Sequence, residues 1–245
     1  MRGEAVPGTV RTEAIVLRSI RYGEADRVLH LYTPARGRVG AIAKGVRRAR
    51  SRFGGRLEPF FRVALMLHEG RGELLTVTSA ETVRAHPRLR EHHVSLDAAA
   101  RACDAVARLF ESEDANPAAY HLLANQLALL DSAPGRAGRA NQLAFRLKLL
   151  LAAGLAPQLE ACVSCGDREH LSGFSGAGGG VVCSACEASA FGLDAEAHRF
   201  LVVALGAPLS RAPTAPERAL AQAERAIRET VEHHAHVRLR PAAAA

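Results

Sequence analysis

Residues 13–55 read EAIVLRSIRYGEADRVLHLYTPARGRVGAIAKGVRRARSRFGG, and this stretch decides the fold. Residues 12–20 (TEAIVLRSI) are rich in β-branched and long apolar side chains and read as a strand. Tyr22-Gly23 reads as a turn, followed by a second strand at 26–32 (DRVLHLY). In that strand Arg27, Leu29 and Leu31 alternate with Val28, His30 and Tyr32, so the two sets point to opposite faces. A turn at 33–37 leads to a third strand at 38–43 (RVGAIA). Nine cations then stand out between residues 27 and 57: Arg27, Arg36, Arg38, Lys44, Arg47, Arg48, Arg50, Arg52 and Arg56. No Asp or Glu falls among them. The densest part, 44–56, is interleaved with Gly45, Ser51, Gly54 and Gly55, which argues for a mobile loop rather than a helix. Cations on a loop, with Phe53 inside it and Phe60 and Phe61 just beyond, suit a polyphosphate strand with exposed bases. The plain alternative is a solvated basic surface loop without a ligand.

Two more strands follow, at 60–68 (FFRVALMLH) and 74–85 (LLTVTSAETVRA). Five short strands in so few residues cannot hide their edges as a flat sheet. Closure into a five-stranded oligonucleotide-binding (OB) barrel removes the edges, with an SH3-like barrel as the alternative architecture. Beyond Pro87 the periodicity changes to that of helices. Leu96, Ala99, Ala100, Cys103, Val106, Ala107 and Phe110 make one helix face. Asn116-Pro117 gives a capped start to a second helix, and 142–153 (QLAFRLKLLLAA) forms a third. Asp194 caps a fourth. Thr214 to Glu217 reads as a capping box that opens a helix reaching about residue 238, with Pro241 and the last alanines frayed. The expected class is α+β and multidomain. An OB-fold domain spans 1–82, a helical bundle domain spans 83–158 and 193–240, and a metal module spans 159–192.

That module stands apart by composition: it holds four of the five cysteines, four acids and one cation, Arg168. Cys162-x-x-Cys165 and Cys183-x-x-Cys186 each wrap one side of an ion, and together they complete a tetrahedron. Four thiolates without histidine favour one Zn²⁺ in a closed, structural site. Gly173, Gly176 and the glycines at 178–180 leave a tight turn between the pairs.

Composition bounds the rest. The chain has 245 residues, 48% of them apolar, but only 4% aromatic and no Trp, so its core is mainly Leu, Val and Ala. The formal charge is +7, and residues 1–82 alone carry 15 cations against 8 acids. The excess is therefore local, which favours a nucleic-acid face over a generally basic chain. No apolar run reaches membrane-span length, and residues 1–11 lack the apolar core of a signal peptide, so a cytoplasmic protein is expected. No His is followed two residues later by Glu, and neither HExxH nor GxxxxGK[ST] occurs. A zinc deaminase, a zincin protease and a P-loop ATPase are thus excluded. Cys103 reads as core packing. Asp97 and Asp104 read as helix partners of Arg101 and Arg108. His92, His93, His233, His234 and His236 read as polar surface.

Residues 13–55, the LEPF segment at 57–60 and the four-cysteine pattern together resemble the RecO family of bacterial DNA repair proteins, the recombination mediators. The match is specific over the first third of the chain and extends by order of elements over all of it. The resemblance implies binding of single- and double-stranded DNA and annealing of complementary strands. It also implies work with RecR to load RecA on strands coated by single-strand-binding protein, whose acidic C-terminal tail is a further partner. It implies no catalysis, no membrane and a nucleoid-associated, cytoplasmic place. The expected DNA contacts are Arg36, Arg38, Lys44, Arg47, Arg48, Arg50, Arg52 and Arg56, with Phe53 either stacking on a base or folding back as packing. A metal-dependent nuclease and a zinc-ribbon RNA-binding or transcription factor are the rival readings.

Overall fold

Strand β1 (Thr9–Tyr22) is long enough to pair twice, and the barrel is built around it. In this computed structural model, which describes residues 8–70, 72–111, 114–186, 188 and 190–243, its first half pairs with β4 (Arg62–His68). Its second half pairs with β2 (Asp26–Thr33). A bulge between Val16 and Arg18 lets it change partners. There Val16 exchanges backbone hydrogen bonds with Phe61 (2.9 Å) and Phe60 (2.8 Å). β3 (Gly37–Ala43) pairs antiparallel with β2, and β5 (Leu75–Arg84) pairs antiparallel with β4. A short parallel ladder, Ala41 to Leu75 and Ile42 to Thr76, closes the ring in the order β1-β2-β3-β5-β4. This is the OB barrel rather than the SH3-like alternative.

Alternation along β1 and β2 serves two cores. Ala14, Val16, Leu29 and Leu31 point into the barrel, while Ile15, Leu17 and Tyr32 point out under the helices. The outward set meets α1 (His93–Leu109) and α2 (Pro117–Ser132), and α3 (Arg139–Ala152) joins the same apolar cluster. Tyr32 is fully buried, its ring centroid 5.8 Å from that of Phe110. Asp131 ties the two parts together from the helical side, accepting hydrogen bonds from the Arg88 and Leu89 backbone N–H groups at 2.9 and 3.2 Å.

Helix starts follow the caps. Asn116 Oδ1 accepts from Ala119 N at 2.9 Å, and Asp194 Oδ1 accepts from Ala197 N at 2.8 Å ahead of α4 (Ala195–Gly206). Each such cap stabilises its helix by about 1 kcal/mol. The expected capping box at Thr214 does not form. The last helix, α5 (Glu217–His234), begins after Pro216 with no side-chain cap, and it ends short of residue 238. The cause is Pro216, which disfavours the helical region for Ala215, so no helical turn can start at Thr214. The tail beyond α5 is docked rather than frayed. Arg146 Nη2 donates to the Arg240 carbonyl and Ala242 N to Glu224 Oε1, each at 2.5 Å, and Ala243 N reaches Gln142 at 3.2 Å. Residues 244–245 lie outside the described residues, as do 1–7.

The cysteine-bearing segment folds as a small sheet of β6 (Leu171–Ser175), β7 (Gly180–Cys183) and β8 (Phe191–Gly192), in the order β7-β6-β8. Phe174, Val181 and Phe191 belong to the same apolar cluster as the helices, so this sheet is welded to the helical core. Two glycines flanking the β6–β7 turn lie so close to their neighbours that a side chain there is barred. A Cβ at Gly180 would collide with the Gln158 carbonyl, and one at Gly176 with Glu229.

Tyr32 provides a test of the shared strand. Burial pushes its hydroxyl up to about 12, and Oη meets no hydrogen-bond partner among the described residues. Tyr32→Phe removes only that hydroxyl and should leave stability unchanged or slightly higher. Tyr32→Ala opens a cavity between barrel and helices and should cost about 3–5 kcal/mol in urea unfolding.

Candidate nucleic-acid interface and metal centre

Residues 44–57 run from the end of β3 across the barrel mouth, toward β4. They form a succession of turns and no helix, as the glycines and serine suggest. Arg48 N bonds Gly45 O, Ser51 N bonds Arg48 O, Gly54 N bonds Ser51 O and Arg56 N bonds Phe53 O, all at 3.0–3.3 Å. Two further bonds pin the start of the loop to the β1–β2 hairpin. Gly45 N donates to Asp26 Oδ1 at 2.7 Å, and Arg47 N donates to the Ala25 carbonyl at 2.9 Å. Phe53 and Leu57, each 1% exposed, drop into the barrel core. Phe53 is therefore corrected from a stacking candidate to a plug. Its ring is enclosed, with the Arg52 guanidinium 4.8 Å from its centroid. An aromatic in a glycine-rich loop reads from sequence as free to swing out. It is held in because a closed barrel has an open end to fill.

The structure divides the eight expected cations. Lys44, Arg47, Arg48, Arg50, Arg52 and Arg56 are exposed on this one loop. Arg56 reaches the Arg52 and Phe53 carbonyls at 3.1 and 3.2 Å. Among the described residues, none of Lys44, Arg47, Arg48, Arg50 or Arg52 pairs with a carboxylate. Arg36 sits at the other end of β3, about 25 Å away along the strand, and pairs with Glu69 at 2.5 Å. Arg38 faces the helices and donates to the Ala107 carbonyl at 3.0 Å. Arg27 is paired with Glu58 at 2.9 Å. Sequence spacing could not separate these, because partners far along the chain decide which cations are already satisfied. Two residues beside the loop escaped the sequence reading. Ile20 and Tyr22, on the outer face of β1, are 37% and 59% exposed. The signal was the alternation of β1 carried through to the hairpin tip.

The second constellation is the four cysteines. Cys162 and Cys165 lie in a knuckle after α3, closed by Gly166 N to Cys162 O at 2.8 Å, with Gly166 at φ +80°. Cys183 ends β7, and Cys186 N bonds its carbonyl at 2.9 Å. All four Sγ atoms lie within 4.8 Å of one another, and Cys165 and Cys183 are 3.7 Å apart. A tetrahedral thiolate site with metal–sulfur bonds of roughly 2.3 Å needs sulfurs about 3.8 Å apart. The donor set therefore fits a single metal ion. The Cys162 thiol is pulled down to about 6, first by the Cys183 backbone N–H. Cys186 is pushed up to about 12, first by the neighbouring Cys183 thiol. Crowded thiolates of this kind repel unless a cation sits among them. Cys103 lies elsewhere, buried on α1 with its thiol pushed far up by burial, as packing requires. Arg101–Asp97 and Arg108–Asp104 form the expected helix pairs at 2.6 and 2.8 Å. His234 accepts a structural role, its Nε2 2.9 Å from the Gly176 carbonyl. No helix among the described residues is long and apolar enough to cross a membrane.

Known proteins match along both parts of this architecture. The family model "Recombination protein O N terminal" matches residues 8–86, and "Recombination protein O C terminal" matches residues 94–241. A DNA repair protein RecO of Rubrobacter xylanophilus is 42% identical over 182 residues, covering 74% of this chain and 72% of its own. One from Bifidobacterium animalis subsp. lactis is 41% identical over 180 residues, 71% and 72% of the two chains. One from Anaeromyxobacter dehalogenans is 35% identical over 240 residues, 94% and 93%. The barrel, the helices and the sequence between them thus agree, and the chain belongs to the RecO family of DNA repair and recombination proteins.

Proposed function

We propose that this protein is a DNA-binding recombination mediator without catalytic chemistry of its own. It binds single- and double-stranded DNA, anneals complementary strands and, with RecR, helps to load RecA where single-strand-binding protein coats the strand. The observation that carries the DNA reading is the loop 44–57: six exposed cations, none of them with a carboxylate partner among the described residues, on a backbone fixed to the barrel. Family membership supports RecR, RecA and the acidic tail of the coating protein as partners, and a cytoplasmic, nucleoid-associated place follows from them. The work divides among an OB domain at 1–82, a helical domain at 83–158 and 193–240, and a metal module at 159–192.

Contacts to the sugar–phosphate backbone position a protein without reading sequence. The loop therefore screens phosphates on two strands alike and leaves base edges free to pair. The metal-dependent nuclease reading would need grouped carboxylates beside the loop. Among the described residues Glu58 there pairs with Arg27 and Asp26 accepts from the Gly45 N–H, which leaves Glu24 in the hairpin turn without a second carboxylate to share a metal. The zinc-ribbon RNA-binding reading has less support, because the cysteine sheet is welded to the helices, away from the cationic loop. The four cysteines are proposed to hold one Zn²⁺, which would crosslink the knuckle after α3 to the end of β7 and perform no chemistry on DNA.

Three outcomes check this reading. With six phosphate contacts, log affinity for a single strand should fall with log salt at a slope of about −4. Changing Arg47, Arg48, Arg50 and Arg52 together to Glu should flatten that slope and weaken all sequences alike; an unchanged slope places the interface elsewhere. Metal analysis of protein purified without chelators should find one zinc per chain. Cys183→Ser should lower the folded yield while the folded fraction keeps its DNA affinity, since such sites couple metal to folding by on the order of 10 kcal/mol in isolated fingers. Annealing of two labelled complementary oligonucleotides, followed by fluorescence quenching, should be faster with protein, indifferent to ATP, and slower as salt rises. A requirement for ATP hydrolysis would overturn the mechanism.

A further inference from the structure

The face of the barrel beside the basic loop carries a second, apolar feature. In an antiparallel ladder, directly opposed residues share a face. Ile20 lies opposite Val28, and Val28 lies opposite Ile42, so these three make an apolar row across β1, β2 and β3. The row is turned away from Leu29 and Ala41, which fill the barrel. Tyr22 extends it at the hairpin tip, opposite Asp26. At 59% exposure Tyr22 is the one aromatic side chain in the exposed class among the described residues. Its position is tied to the loop, because Asp26 holds Gly45 and Ala25 holds Arg47. At the far end of the row Arg18 lies opposite His30, in a cleft that Arg38 also lines. His30 is held below the ordinary imidazole range by burial and then by Arg38 and Arg18, and Asp104 and Glu111 line the same cleft, so the cationic part of this face is its loop end.

We propose that Tyr22, backed by the Ile20–Val28–Ile42 row, is the base-stacking platform for a single strand whose phosphates lie along residues 44–56. This rests on the DNA reading above and goes beyond it, since cations alone do not tell a single strand from a duplex. An unpaired base offers a π-face, whereas a base inside a duplex is already stacked on both sides. The same face is a poor seat for a second copy of the chain. A two-fold contact sets the same patch against itself and would bring two like-charged loops together.

The test uses the full chain with Tyr22→Ala and Tyr22→Phe, and fluorescence anisotropy of a labelled single strand and of its duplex. Tyr22→Ala should weaken single-strand binding about 5- to 150-fold and leave duplex binding unchanged. Tyr22→Phe, which keeps the ring, should bind the single strand like the natural protein. Equal weakening on both substrates, or no weakening on either, would overturn the stacking role. The variant with Arg47, Arg48, Arg50 and Arg52 changed to Glu, run beside these, separates the two readings. If it weakens both substrates while Tyr22→Ala changes neither, only the platform fails; if it changes neither, the loop reading fails first. Sedimentation of Tyr22→Ala adds a last outcome: a dimer of the natural chain that becomes monomeric would assign this face to a second copy and overturn the proposal.

Discussion

Strands β1 and β2 bury side chains on both of their faces, and everything else in the molecule depends on that. One set of alternating residues, Ala14, Val16, Leu29 and Leu31, fills the barrel, and the other, Ile15, Leu17 and Tyr32, is roofed by helices. Two-sided burial fixes register firmly, because a slip by one residue would send the whole apolar set of one core into the other. The bulge between Val16 and Arg18 ends the covered region. Past it the outer face is open, and there Ile20 and Tyr22 emerge into solvent.

The basic loop inherits its position from the same two strands. Asp26 and Ala25, at the tip of their hairpin, hold its first residues, and Phe53 and Leu57 anchor its second half in the barrel. A chain with six neighbouring cations would repel itself into an extended form in isolation. Here two buried side chains and two hydrogen bonds hold the cations in one place while their charge remains uncompensated by nearby carboxylates. An anionic partner of the kind proposed would meet an arrangement whose ordering cost is already met within the fold, which is how preorganisation raises affinity.

Much of this could be read from residues alone, and the failures have identifiable causes. Strand alternation, the Asn116 and Asp194 caps and the paired cysteines are local signals, and each appears where the sequence places it. Their physics acts over a few residues. Phe53 was ambiguous because its burial depends on a barrel mouth closed by strands on either side of it. Arg36 and Arg38 fall in with the loop by charge count alone, which ignores partners such as Glu69 and the Ala107 carbonyl that only the fold brings near. Thr214 matches the capping-box pattern, but Pro216 constrains its predecessor and overrides that local signal. The tail looked frayed because Arg146 and Glu224, which hold it, are far from it in sequence.

Residues 44–57 and the hairpin they are pinned to are the proposed DNA interface, with the barrel intact beneath. Hydrogen–deuterium exchange of the full chain, with and without a single-stranded oligonucleotide, measures this directly. Slowed exchange is expected to concentrate in 44–57 and 20–27, with the backbone of β3 and β4 already protected in the free protein. Protection confined to the helices or to the cysteine sheet, with 44–57 unchanged, would contradict it.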